Sequence, residues 1–154
     1  MEDALAQDWD HYLCALGDDL ASIYLDLAQS RVAPVPSQQH STMVSVAMIR
    51  PQEDGMSSDD EFDELVALED DLSAQAHAIG ANYVGRLTTR GRRIFYLYSS
   101  TPNEVEPAVK DVMGRHPSYV VAVTDRPDPE WSTYFDFLYP GAADYQRMMN
   151  RRLN

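Results

Sequence analysis

Residues 42–50 read Thr-Met-Val-Ser-Val-Ala-Met-Ile-Arg, and residues 58–80 read Ser-Asp-Asp-Glu-Phe-Asp-Glu-Leu-Val-Ala-Leu-Glu-Asp-Asp-Leu-Ser-Ala-Gln-Ala-His-Ala-Ile-Gly. The first run is apolar on both of its alternating faces, as expected of a central strand covered from two sides, and Pro51 ends it. In the second, Phe62, Leu65, Leu68, Leu72, Ala76 and Ile79 recur at spacings of three and four, which predicts an amphipathic helix stopped by Gly80. Ser58 and Glu61 stand in the spacing of a capping box at its start.

Downstream, Asn82–Thr89 and Arg92–Ser99 flank Arg90-Gly91 as two aromatic-rich strands of a hairpin with a basic tip. Thr101-Pro102-Asn103-Glu104 opens a second helix, although Pro107 allows the regular helix to start there and run to Arg115 instead. Tyr119–Thr124 is a further apolar strand. From residue 42 to 125 the order is therefore strand, helix, strand, strand, helix, strand, the βαββαβ order of a ferredoxin-like sandwich in an α+β domain.

Outward from that core, residues 8–16 and 20–28 flank Gly17-Asp18-Asp19 and predict an N-terminal β-hairpin within residues 1–28. Residues 29–41, with Pro34 and Pro36, read as a long connection. Residues 126–154 form a C-terminal extension: a turn-rich break, an aromatic-rich segment of ambiguous structure at 130–139, and a helix over 142–153. With 154 residues, close to the usual size of one domain, the whole chain reads as one domain.

Charge is the second strong signal. The chain carries 25 acidic and 12 basic residues, net −13, which opposes attraction to nucleic acid or anionic lipid. The excess is uneven: residues 1–71 hold 17 acidic and 2 basic residues, whereas residues 72–154 hold 8 and 10. Ten carboxylates and no base fall between Glu53 and Asp71. Asp60, Asp63, Glu64 and Asp71 fall off the apolar stripe of the helix and are expected to face water, where they form an acidic surface for docking a basic protein partner.

Catalytic and metal-binding patterns are absent from the sequence. The single cysteine, Cys14, permits no intramolecular disulfide, and in a strand it projects away from His11. His11, His40, His77 and His116 stand at no ligand spacing, and the acidic run lacks an Asp-x-Asp-x-Asp-Gly calcium loop, so neither metal nor cofactor is expected. Arg86, Arg90, Arg92 and Arg93 beside Tyr83, Tyr96 and Tyr98 suggest an RNA-binding sheet, but the signature glycines are missing and the net charge is wrong. No apolar run approaches bilayer-spanning length and no signal sequence is evident, which predicts a cytoplasmic, non-membrane protein.

Trp9 with Tyr12, and Trp131 with Tyr134, repeat a Trp-x-x-Tyr spacing near the two ends. They either seal the core or, with Arg86 and Tyr96, line a small-ligand or enzymatic pocket beside the Trp131 segment. Edge pairing of the open sheet into a homodimer is a third expectation.

Several of these features together resemble a bacterial family, domain of unknown function 695. The resemblance rests on Trp9-x-x-Tyr12, Ile23-x-Leu25-Asp26, Arg50-Pro51 with Asp54-Gly55, Tyr83-Val84-Gly85-Arg86-x-Thr88, Arg93-x-Phe95-Tyr96-x-Tyr98, and Asp125-x5-Trp131-x-x-Tyr134-x3-Leu138-x-Pro140. It implies no established activity and no catalytic residues. The family is in turn similar to the regulator of ribonuclease activity B, a small acidic ferredoxin-like protein that acts by binding a nuclease, which implies a non-enzymatic regulatory role.

Overall fold

Successive side chains of a strand point to opposite faces, so the apolar residues of this chain sort onto two sides of a single sheet. A computed structural model describes residues 6–154. Its elements are β1 (Trp9–Leu16), β2 (Asp19–Asp26), β3 (His40–Ala47), α1 (Phe62–Ala78), β4 (Asn82–Thr89), β5 (Arg92–Ser99), α2 (Pro102–Gly114), β6 (Val121–Pro127) and α3 (Ala142–Leu153). The six strands form one sheet in the order β1-β2-β4-β5-β3-β6, and every neighbouring pair is antiparallel. This is an α+β fold.

One face of the sheet carries Val44, Val46, Phe95 and Leu97 and is covered by α1 and α2 through Leu65, Leu68, Leu72, Val105, Val109 and Val112. The opposite face carries Tyr12, Ile23, Leu25, Val84, Leu87, Tyr96 and Tyr98, and the C-terminal segment closes it with Trp131, Tyr134, Leu138 and Met148. An irregularity between Tyr83 and Gly85 shifts the β4 register, so that both Arg86 and Tyr83 face the helices. At Gly85 the chain from the second layer comes close: an added Cβ would stand 3.1 Å from the Tyr24 carbonyl and 3.3 Å from a Leu138 methyl.

The sequence placed the hairpin, α1, β4 and β5 close to where they lie, and five local expectations change. The connection over residues 29–41 is not bare loop. It contains a 3-10 turn at Leu27–Arg31, Gln29 and Gln38 both bond to the Asn82 side chain, and β3 starts at His40. Helix α2 begins at Pro102 with Pro107 inside it; Pro102, at the first helical position, gives up no helical hydrogen bond, whereas Pro107 removes the N–H that would serve the Asn103 carbonyl. Strand β6 runs to Pro127, beyond the expected end at residue 124, because Asp125, Arg126 and Pro127 continue the pairing with β3. The ambiguous segment becomes a single π-helical turn, Thr133–Leu138.

The fifth change concerns the start of α1. Ser58 precedes a short 3-10 turn, Asp59–Glu61, and its side chain makes no capping bond. Glu61 is fully buried and turns inward instead of back to Ser58. Its carboxylate accepts from the backbone N–H groups of Ile49 (2.9 and 3.0 Å) and Arg50 (2.7 Å) and from the Tyr119 hydroxyl (2.6 Å). It joins the end of the β3 segment to the start of α1 and to the approach to β6. The loop between them seats Gly55, at φ +88°, against the Arg90-Gly91 turn of the β4–β5 hairpin, where any Cβ would stand 2.7 Å from the Arg90 nitrogen.

Candidate functional site

The acidic run divides into carboxylates used inside the fold and carboxylates left facing water. Burial would raise the Glu61 carboxyl, but its hydrogen bonds from Ile49, Tyr119 and Arg50 hold it below the ordinary carboxylate value. Glu69 sits between α1 and the sheet, paired with Arg86, bonded by the Tyr83 hydroxyl at 3.0 Å and 3.9 Å from Arg93. Burial, with the neighbouring Arg86 charge, pushes the Arg93 guanidinium down to about 10. Asp71 is held low chiefly by its hydrogen bond with His116 (2.6 Å), with Arg115 adding to it, and Glu64 lies 3.3 Å from Arg50.

Glu53, Asp54, Asp59, Asp60, Asp63 and Asp70 are exposed and form no ion pair with any described residue. The expected docking set thus splits: Asp60 and Asp63 are unpaired, whereas Glu64 and Asp71 are partly neutralised by arginine and histidine. Beside the unpaired carboxylates stand two apolar side chains one turn apart, Phe62 (58% exposed) and Val66 (37% exposed). The spacing pattern assigned Phe62 to the buried stripe. Leu65, Leu68, Leu72 and Ala76 centre that stripe, and Phe62 lies about 80° around the helix from its middle at about 100° per residue. Val66 was not predicted as part of any site.

The six aromatic and basic residues expected to share a pocket do not share one. Trp9 and Arg86 face the helix side of the sheet; Tyr12, Tyr96, Trp131 and Tyr134 face the other. Trp131 and Tyr134 are fully buried in a filled layer. The Trp131 ring stacks on Tyr98 with centroids 3.9 Å apart, and its indole N–H donates to the Gln38 carbonyl at 2.8 Å. Trp131 takes φ +58°, unfavourable for a bulky residue, and a buried Asp128 holds the turn by accepting from the Tyr98 hydroxyl (2.7 Å) and the backbone of Ser132 (2.9 Å) and Thr133 (3.1 Å). Burial acts to raise the Asp128 carboxyl, and those bonds outweigh it and keep the group low.

Two of the open concavities among the described residues have aromatic walls. One, of about 650 Å³, lies between α1 and the N-terminal hairpin and is lined by Trp9, Tyr24 and Tyr83 with Glu69, Asp70 and His77. Its rings cluster, Trp9 being 4.8 Å from Tyr24 and 5.1 Å from Tyr83, and the Arg86 guanidinium sits 4.7 Å over Tyr24. The other, of about 450 Å³, lies on the opposite side of the sheet, where Tyr96 and Arg126 meet Ser132, Asp136 and Phe137 of the turn after Trp131. Arg126 and Asp136 escaped the sequence reading because only the β3–β6 register and the π turn bring them together. Among the described residues no three His, Cys, Asp or Glu side chains gather as metal ligands would, and no helix is long and apolar enough to cross a membrane.

The family of unknown function DUF695 matches residues 7–139, from the approach to β1 to the end of the π turn. No curated protein and no solved structure matches the chain. The matched span takes in all six strands with α1 and α2, and the chain belongs to the DUF695 family, a family of unknown function.

Proposed function

We propose that this protein is a non-enzymatic cytoplasmic regulatory module that docks a basic protein partner on the outer face of α1. The observation that carries the reading is the exposed pair Phe62 and Val66 bordered by the unpaired carboxylates of Asp59, Asp60, Asp63 and Asp70. Such a patch supplies an apolar anchor with a charged rim, which gives both contact energy and electrostatic steering. The ferredoxin-like reading of the β3–β6 portion belongs to the same proposal: the strand order β4-β5-β3-β6, with α1 and α2 on one face, supports it. The N-terminal hairpin then widens the sheet beside β4, and its aromatic groove continues the acidic face through Asp70.

Affinity capture of partners at low salt tests the reading. The wild-type chain retains a basic protein whose binding weakens steeply with added salt, and charge reversal of Asp60 and Asp63 to Lys together with Phe62→Ser lowers retention about tenfold or more. Equal retention by the variant, or no retained protein at low salt, overturns it.

A further inference from the structure

Five tyrosines of the two core layers bond their hydroxyls within the fold. Tyr12 donates to the Leu138 carbonyl (2.6 Å), Tyr98 to Asp128 (2.7 Å), Tyr134 to the Asp26 carbonyl (2.7 Å), Tyr119 to Glu61 (2.6 Å) and Tyr83 to Glu69 (3.0 Å). Tyr96 is 3% exposed, yet its hydroxyl bonds to no described residue. The ring is enclosed while the hydroxyl is not among the sealed, unpartnered polar atoms, and the Tyr96 side chain lines the 450 Å³ cleft under the Trp131 turn, which leaves that hydroxyl free to meet a ligand there.

Two charges of opposite sign share that cleft. Arg126 projects from β6 on the same face as Tyr96 and Met43, its one described bond being to the Thr133 hydroxyl. Asp136, on the π turn, is exposed and also lines the cleft. Neither has an ion-pair partner among the described residues, and they do not pair with each other. The walls between them are Met43, Tyr96 and Phe137, with the two rings 6.2 Å apart. The cleft falls within the size range of small-molecule sites.

We propose that this cleft binds a small amphipathic zwitterion, of the class of an α-amino acid with an apolar side chain. The carboxylate accepts from the Arg126 guanidinium and the Tyr96 hydroxyl, the ammonium group faces Asp136, and the apolar side chain lies against Met43 and Phe137. A simple anion would meet the Asp136 charge and a simple cation would meet Arg126; only a molecule carrying both charges satisfies both ends. The site lies on the side of the sheet away from α1, so its occupancy is independent of the acidic docking face.

Two-dimensional 1H–15N NMR titration of the full chain with L-phenylalanine, 3-phenylpropionate and 2-phenylethylamine tests the proposal. L-phenylalanine is expected to shift the amides of Tyr96 and of residues 132–137 saturably at millimolar concentration or below. Each single-ended analogue binds about tenfold more weakly, the size expected for one lost hydrogen bond to a charged group. Tyr96→Phe and Arg126→Gln each weaken L-phenylalanine by a similar factor without altering thermal unfolding, whereas Asp136→Asn weakens L-phenylalanine but not 3-phenylpropionate. No saturable shift, equal affinity for all three probes, or unchanged affinity in both Tyr96→Phe and Arg126→Gln overturns it.

Discussion

The two faces of the sheet are built on different principles. Toward α1 and α2 the layer is mostly aliphatic: Val44, Val46, Leu65, Leu68, Leu72, Val105, Val109 and Val112 fill it. Its cohesion comes from apolar burial, worth about 25 cal/mol per Å² and indifferent to orientation. Toward the C-terminal segment the layer is aromatic, with Tyr12, Tyr96, Tyr98, Trp131 and Tyr134. There the rings bring polar ends inside, and hydrogen bonds to Leu138, Asp128, Asp26 and Gln38 fix where Tyr12, Tyr98, Tyr134 and Trp131 lie. A layer of the second kind tolerates less change of shape, because a displaced ring also strands its partner.

Trp131 is the severest test of that difference. It is the largest fully buried side chain, stacked on Tyr98 and bonded to Gln38, which itself holds Asn82. Trp131→Ala is expected to cost about 4 kcal/mol in a denaturant titration and to loosen residues 29–41 as well as the C-terminal segment. Relief of the positive φ at this position returns only part of that cost. A loss below 1 kcal/mol would show that the aromatic layer is no more exacting than an aliphatic one.

Glu61 tests a place where the aliphatic side depends on a charge. Glu61→Gln replaces an acceptor of three donors by a group that brings an N–H₂ against the Ile49 and Arg50 amides, at a cost of about 3 kcal/mol near pH 7. The folded carboxyl titrates below its unfolded value of 4.5, so its stabilisation is complete above that pH and is lost as pH falls through the folded value. The gap in unfolding free energy between wild type and variant therefore narrows on acidification below pH 4.5. A gap that stays constant would mean that the charge of Glu61 contributes nothing.

Which parts of this arrangement are visible in the residues follows from the same distinction. Leu65, Leu68, Leu72 and Ala76 announce the helix and its buried side because aliphatic burial imposes a period. The Asn82–Thr89 and Arg92–Ser99 hairpin announces itself through turn chemistry at Arg90-Gly91, where both residues take positive φ. Hydrogen-bond partners impose no period. Tyr12 and Leu138 are 126 positions apart, Tyr134 and Asp26 are 108, and no local pattern marks such pairs. For the same reason Trp9, Tyr12, Arg86, Tyr96, Trp131 and Tyr134 were grouped by type, while the sheet separates Trp9 and Arg86 from the rest. Glu61 resembles a capping residue by spacing, and only the return of the chain past Ile49 and Arg50 gives it a different set of donors.

The smallest effect discriminates most finely within the aromatic layer. Tyr134→Phe leaves the Asp26 carbonyl buried without the hydroxyl that serves it, and about 1 kcal/mol of stability should be lost. Tyr96→Phe breaks no bond to the chain and keeps the ring that packs near Phe137, so unfolding should shift by less than about 0.5 kcal/mol. Burial raises both phenols, Tyr96 to about 12, so neither ionises between pH 5 and 9 and the comparison can be made at any pH in that window. Matched denaturant titrations of the two variants decide it. If Tyr96→Phe costs as much as Tyr134→Phe, the Tyr96 hydroxyl already has a structural partner, and the cleft beside it loses its free donor.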